Sequence, residues 1–211
     1  MIRNVLCLLF LTASLSILKA QKIPFQNFTI QNGLPQNTVN DIDQDQQGYI
    51  WFATQVGAAR FDGYDFEYFD SYNGLPDDYV NCLMVDKEGN IWMGTESGIA
   101  VYDGMGFSYY TQDDGLINNH IDALSEDMEG NIWVTTAYGL SVITKDGIIS
   151  YSQDSALVDN SITDLFIDSQ GRVHVATFPG LTLFESPDSF SIHSLFGSAF
   201  FGNQQQEVTH I

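Results

Sequence analysis

The residues able to do chemistry in this chain fall into a few sets. Asp41, Asp43 and Asp45 alternate just before Gly48. Several carboxylate oxygens in one short stretch are what a calcium ion takes as ligands. The stretch does not follow the twelve-residue calcium pattern and ends on no bidentate Glu. Alternation along a strand also sends the side chains to one face rather than around a point. These three are expected as solvated or channel-lining carboxylates, and no metal site is assigned. Trp51, Trp92 and Trp133 could stack on a sugar ring, but each sits mid-strand at a fixed place in a repeat. That placement favours packing between neighbouring sheets, because large aromatics dominate buried area. Tyr64, Phe66 and Tyr68, then Phe107 and Tyr109, step by two. They are expected to share one strand face and to pack on a neighbouring unit. His120, His174, His193 and His210 show no metal-ligand spacing. There is no nucleophile elbow and no phosphate-cradling Gly-Lys-Ser/Thr loop. No catalytic residue and no cofactor is assigned. An enzyme that places its acid and base on loops of separate units stays open.

Composition narrows the field around those side chains. The 211 residues carry 7 Lys and Arg against 27 Asp and Glu, a net charge of −20. So few cations make an electrostatic grip on nucleic acid or anionic lipid implausible. With 44% hydrophobic and 13% aromatic residues the chain is too apolar for a disordered class. Residues 1–20, with Arg3 before the apolar run Val5 to Leu11 and Ala20 at the break, read as a secretory signal peptide. Cys7 lies inside that apolar run, leaving Cys82 as a lone thiol, expected buried and inert.

The elements that must position these residues follow from a period. Gly33-Leu34-Pro35 recurs as Gly74-Leu75-Pro76, Gly115-Leu116-Ile117 and Ala156-Leu157-Val158, in steps of 41 residues. Trp51, Trp92, Trp133 and His174 keep that step, as do Thr54, Thr95, Thr136 and Thr177, and Gly57, Gly98, Gly139 and Gly180. Within the second copy, Val80 to Asp86, Ile91 to Thr95, Ile99 to Tyr102 and Phe107 to Thr111 read as strands. They are separated by Gly-bearing turns and by the hairpin dipeptide Asp103-Gly104. Four strands in some 41 residues predict an all-β fold, a β-propeller whose blades bury their apolar faces against one another. The units are 33–73, 74–114, 115–155 and 156–201, with the start of a fifth at 202–211 and a strand-like segment, 21–32, ahead of them. The propeller is therefore expected to be incomplete, the amino-terminal piece of a longer protein.

The pattern G-L-P-x(4)-V-x(2)-I, then D-x(2)-G-x-I-W-x(2)-T-x(2)-G, then [FY]-D-G resembles the two-component regulator propeller repeat. Gly33, Trp51 and Asp62-Gly63 carry it in the first copy, and Gly74, Trp92 and Asp103-Gly104 in the second. The third copy has its Asp146-Gly147 off the strict position, and the fourth has Ala156 and His174 where Gly and Trp are the rule. The resemblance implies the periplasmic sensing region of a hybrid two-component system of Bacteroidetes type. In such systems further blades, a membrane segment and a histidine kinase follow in the same polypeptide, and many sense glycan fragments. On that implication this stretch is exported, is no enzyme itself, and has as partners an extracellular ligand such as a glycan and the rest of its own chain. Unpaired blade edges leave room for a homodimer. A structural propeller of a secretion or surface-assembly complex, and a carbohydrate-active enzyme, are the rival readings.

In a propeller the loops between blades and between second and third strands gather at one end, where recognition usually resides. Here these are Asn73 to Asp78, Asp113 to Asn119 and Ser155 to Ser161, with Gln55-Val56, Glu96-Ser97 and Ala137-Tyr138. Gln55, Glu96 and Tyr138 vary within a fixed frame and are the candidate ligand-binding residues.

Overall fold

The structure, a computed structural model, describes residues 27–194. The signal peptide of 1–20 and the fifth unit at 202–211 lie outside the described residues. Of the segment 21–32, the described end is not a strand: Asn27 to Thr29 are irregular, and Ile30–Asn32 form a 3-10 turn capped by Thr29 and closed by Gly33.

Sixteen strands form four antiparallel sheets of four. The first blade holds β1 (Val39–Gln44), β2 (Ile50–Thr54), β3 (Gly57–Phe61) and β4 (Phe66–Phe69). The second holds β5 (Val80–Val85), β6 (Ile91–Thr95), β7 (Gly98–Tyr102) and β8 (Phe107–Tyr110). The third holds β9 (Ile121–Glu126), β10 (Ile132–Thr136), β11 (Gly139–Thr144) and β12 (Gly147–Tyr151). The fourth holds β13 (Ile162–Ile167), β14 (Val173–Thr177), β15 (Gly180–Ser186) and β16 (Ser189–Ser194). Each is a meander in sequence order, and β1, β5 and β9 follow one another at the inner edge. This is the β-propeller that the 41-residue period predicts. Among the described residues no helix is long and apolar enough to cross a membrane.

The core lies between blades, because a single meander cannot cover both of its faces. Trp51, Phe69, Leu75, Val80 and Met93 fill the first junction. Trp92, Val101, Leu116, Ile121 and Leu124 fill the second, and Trp133, Leu140, Tyr151, Leu157 and Phe184 the third. The indoles of Trp51 and Trp133 are each 1% exposed, so they are packing elements and not a sugar platform.

Each indole owes its position to an aspartate six residues earlier. Trp51 Nε1 donates to Asp45 Oδ2, Trp92 to Asp86 and Trp133 to Asp127, all at 2.8 Å. The other oxygen of each carboxylate accepts two backbone N–H groups of its turn, Gln47 and Tyr49 in the first copy. In the fourth copy His174 Nε2 takes the indole's place, 3.1 Å from Asp168 Oδ2. Hydrogen bonds from His174 and from Arg172 hold the Asp168 carboxyl well below the usual carboxylate range.

Of the three carboxylates expected as solvated or channel-lining, Asp45 is thereby corrected, while Asp41 and Asp43 stay half-buried on the inner strand β1. Asp45 is buried on Trp51. Asp41 and Asp43 each bridge two blades: their Oδ1 atoms accept the next N–H of their own strand, and their Oδ2 atoms accept Leu83 N–H and Val85 N–H of β5 at 2.8 Å. Edge-strand donors that would otherwise lack a partner are satisfied by the preceding blade.

The outer aromatics meet expectation only in part: Phe107 packs edge to face on Phe69 of blade one, ring centroids 6.0 Å apart. Tyr64 lies in the β3–β4 turn and is 92% exposed. Phe66 and Tyr68 close over the opening glycine of their own repeat, with Tyr68 donating to Gly33 O at 2.5 Å. Phe107 and Tyr109 do the same at Gly74, where a Cβ would meet the Phe107 ring at 2.3 Å. At φ +142°, that position needs glycine for its backbone as well as for its space.

Candidate functional site

The end carrying the β2–β3 loops is built by a repeated device. Thr54 Oγ1 donates to Gly57 O at 2.7 Å and accepts Val56 N–H, which closes a four-residue turn. Thr95, Thr136 and Thr177 make the same bond to Gly98, Gly139 and Gly180. The buried threonines and the glycines fix the frame, and the two residues between them are free to differ.

The first of those two residues reaches the following blade where its chemistry allows. Gln55 Nε2 donates to the Tyr79 hydroxyl at 3.0 Å, and Gln36 Oε1 accepts Gln55 N–H. In the next copy Glu96 Oε2 lies 2.5 Å from His120 Nδ1. Tyr79 and His120 occupy the same repeat position, 41 residues apart. The third copy has Ala137 there, which cannot make the link.

His120 is held from both sides. Its Nε2 lies 3.1 Å from Asp122 Oδ1, so one imidazole joins a carboxylate of blade two to a carboxylate of blade three. Asp122 stands at the β-bulge that opens each inner strand, the position of Asn40 and Asn81. The bulge turns those side chains toward the next blade: Asn40 Nδ2 donates to Val80 O at 2.8 Å, and Asn81 Nδ2 to Ile121 O at 2.9 Å and to Glu96 Oε1 at 3.4 Å. Burial, with Glu96 adding to it, raises the Asp122 carboxyl above its ordinary value against the pull of His120. Glu96, His120 and Asp122 are partly open to solvent, with side chains 36–45% exposed. The group offers its carboxylate oxygens as hydrogen-bond acceptors to anything that docks on this end.

Of the three residues expected at the site, Gln55 and Glu96 thus occupy equivalent places, each tied to the next blade. Tyr138 stands one position later in its loop, 63% exposed, and no contact joins it to the other two. Tyr79, His120, Asn81 and Asp122 were not singled out as site residues. The 41-residue register carried a signal for them, since each occupies the same repeat position as a residue that bridges blades.

Comparison with known proteins bears on the whole arrangement. The family described as "Two component regulator propeller" matches residues 33–55, 74–97 and 115–138. Each matched stretch runs from an opening glycine through the first two strands into the β2–β3 loop. Histidine kinase P4 of Formosa agariphila is 45% identical over 51 residues, which are 23% of this chain and 4% of the kinase. Among solved structures, the extracellular domain of BT3049 of B. thetaiotaomicron, described as a hybrid two component system, aligns with a TM-score of 0.70 at 24% identity. That alignment covers 78% of this chain and 24% of BT3049. Virginiamycin B lyase from Staphylococcus aureus aligns with a TM-score of 0.60 at 17% identity, over 75% of this chain and 56% of the lyase. Both structural likenesses speak for the propeller fold. This chain spans only a small part of the kinase and of the BT3049 extracellular domain. Three of its four described blades thus open on stretches that match the two component regulator propeller family.

Proposed function

We propose that this propeller is the exported, ligand-binding part of a two-component sensor, and that it binds its ligand without transforming it. The observation that carries the reading is the match of three repeats to the two component regulator propeller family. The 51-residue likeness to a histidine kinase supports it. The ligand would dock on the end formed by the β2–β3 and interblade loops, with Gln55, Glu96 and Tyr138 in contact with it. Hydroxyl-rich glycan fragments suit that end, because carboxylates and amides accept and donate hydrogen bonds in a fixed geometry. Binding across Glu96 and His120 would act on the junction of blades two and three, the contact through which a docked ligand could move one blade against another.

The test is calorimetry of the full chain against a panel of neutral and acidic oligosaccharides, with a Gln55→Ala, Glu96→Ala, Tyr138→Ala variant beside it. A bound oligosaccharide whose affinity falls about tenfold or more in the folded variant is expected. Unchanged affinity removes these loops from the site, and cleavage of a panel member overturns the non-enzymatic reading.

A further inference from the structure

A crevice lies at the other end, between blades three and four. A cavity of about 190 Å³ opens there between the β9–β10 turn, the β13–β14 turn and the β15–β16 turn. Its lining includes Trp133, Phe184, Met128, Glu129 and Glu185.

This cavity is no general property of the repeat. At the first junction the equivalent space is crossed by Gln46, whose Nε2 donates to Lys87 O at 3.1 Å, and Tyr102 stands where Phe184 stands, its hydroxyl donating to Gly104 O. At the second junction Lys87 crosses, its Nζ donating to Asp127 O and pairing with Glu126. The third member of this series of contacts is Met128, a thioether that cannot donate, resting 3.4 Å from where a Cβ of Gly171 would lie. The Asp-Gly hairpin of blades one and two is replaced by Glu185-Ser186-Pro187, with a register shift between Phe184 and Ser186. Three changes of sequence thus converge on one crevice and leave it open.

The lining chemistry selects an occupant. The inner wall is closed aromatic packing: Trp133 and Phe184, 1% and 0% exposed, meet at 5.1 Å, edge to face, and the apolar surface open to an occupant is that of Met128 and Pro187. Asp127 is committed to Trp133, Asn131 and its own turn. The exposed carboxylates of Glu129 and Glu185 have no hydrogen-bond or ion-pair partner among the described residues. Two unpaired anions over a thioether and aliphatic surface favour a cation with an apolar body. The chain's net charge of −20 raises the local concentration of any such cation.

We propose that the cavity between blades three and four binds a small organic ammonium ion, its charge between Glu129 and Glu185 and its carbon skeleton against Met128 and Pro187. A free alkylamine and a lysyl side chain of another protein share this chemistry. The site is separate from the loop end, so its success or failure leaves the sensor reading untouched.

The experiment titrates the full chain, carrying methyl-labelled methionine, with n-butylammonium chloride, with n-butanol and with α-N-acetyl-lysine methylamide. Butylammonium is expected to shift the Met128 signal, and the folded Glu129→Gln, Glu185→Gln variant to bind it about fivefold more weakly or worse. Tighter binding of the lysine derivative than of butylammonium assigns the source to a protein side chain, and weaker binding assigns it to a free amine; either supports the site. Equal affinity for butanol, a double variant that binds as the parent does, or saturation without movement of the Met128 signal overturns it.

Discussion

The first and third blade junctions are built from the same repeat and held by different means. At the first, Asn40 and Gln46 donate hydrogen bonds to blade two, and Asp41 and Asp43 accept them from it. At the third, the equivalent positions are Asp122, Ala123, Ser125 and Met128. None of those can repeat the bond made by its counterpart: a carboxylate cannot donate as Asn40 does, Ala123 and Ser125 carry no carboxylate, and a thioether cannot replace an amide. The third junction relies instead on apolar packing around Trp133 and Phe184, and on Tyr151, whose hydroxyl donates to Pro187 O. Burial with Asp188 nearby pushes the Tyr151 hydroxyl up to about 12, so it stays a donor at neutral pH. The comparison teaches that the repeat dictates which faces meet, while the bonds across each meeting are chosen copy by copy.

Removing what the junctions share should cost most. Trp51→Ala and Trp133→Ala are each expected to lose about 3–5 kcal/mol, since both indoles are buried and each leaves its aspartate without a donor. Denaturant unfolding of the full chain measures this. A loss below about 1 kcal/mol at either site would mean that the indole is not what holds its junction.

The polar clips come next and separate the two junctions. The Asp41→Ala, Asp43→Ala variant is expected to lose about 2–3 kcal/mol, because two N–H groups of β5 lose charged acceptors that are only partly screened. At the third junction, Ser125→Ala should stay within about 0.5 kcal/mol, since that hydroxyl, at the repeat position of Asp43, makes no hydrogen bond across to blade four among the described residues. Equal losses at the two places would dissolve the distinction drawn between the junctions.

How far this was legible in sequence depends on whether a residue's partner lies in its own repeat. The Thr and Gly columns act within one turn, as Thr54 does on Gly57, so spacing alone exposed them and with them the strands. The Trp column marked the buried faces for the same reason. Asp45 was readable in principle, because Asp86, Asp127 and Asp168 keep its 41-residue step six places before the Trp or His. It was hidden by its neighbours Asp41 and Asp43, which turn one buried acceptor into an apparent acidic cluster. Those two serve the next blade's backbone, which no pattern inside one repeat can show. At the candidate site, Gln55 and Glu96 were visible as variable residues in a fixed loop. Their links to Tyr79 and His120 depend on how one blade meets the next.

A graft should sharpen the comparison further. Met128→Lys restores at the third junction the residue type that crosses the second. Its ammonium is expected to reach the Asp168 carbonyl as Lys87 reaches that of Asp127, adding about 0.5–1 kcal/mol in the absence of a partner like Glu126, since Ile167 stands at that position. The same change should abolish butylammonium binding by filling the cavity with a cation of its own. A stabilised variant that still binds would place the ammonium elsewhere.

The smallest effect concerns the one blade whose indole is replaced. The Asp168 carboxyl is held low by His174 first and by Arg172 after it, whereas in the unfolded chain it returns to the ordinary carboxylate value near 3.8. The folded form thus favours the charged carboxylate. Its contribution to stability is present above the unfolded value and is withdrawn as pH falls through the lowered folded one. His174→Trp exchanges an imidazole for a neutral indole donor and weakens that preference while keeping a hydrogen bond to Asp168 and the packing position of the other three copies. Hydrogen exchange of the β14 amides between pH 5 and pH 3 should therefore show blade four losing protection less steeply in the variant than in the parent, with the β6 amides of blade two unaffected. The same slope in both proteins would mean that His174 does no more for Asp168 than an indole does, and that the fourth blade differs from the others in its cavity alone.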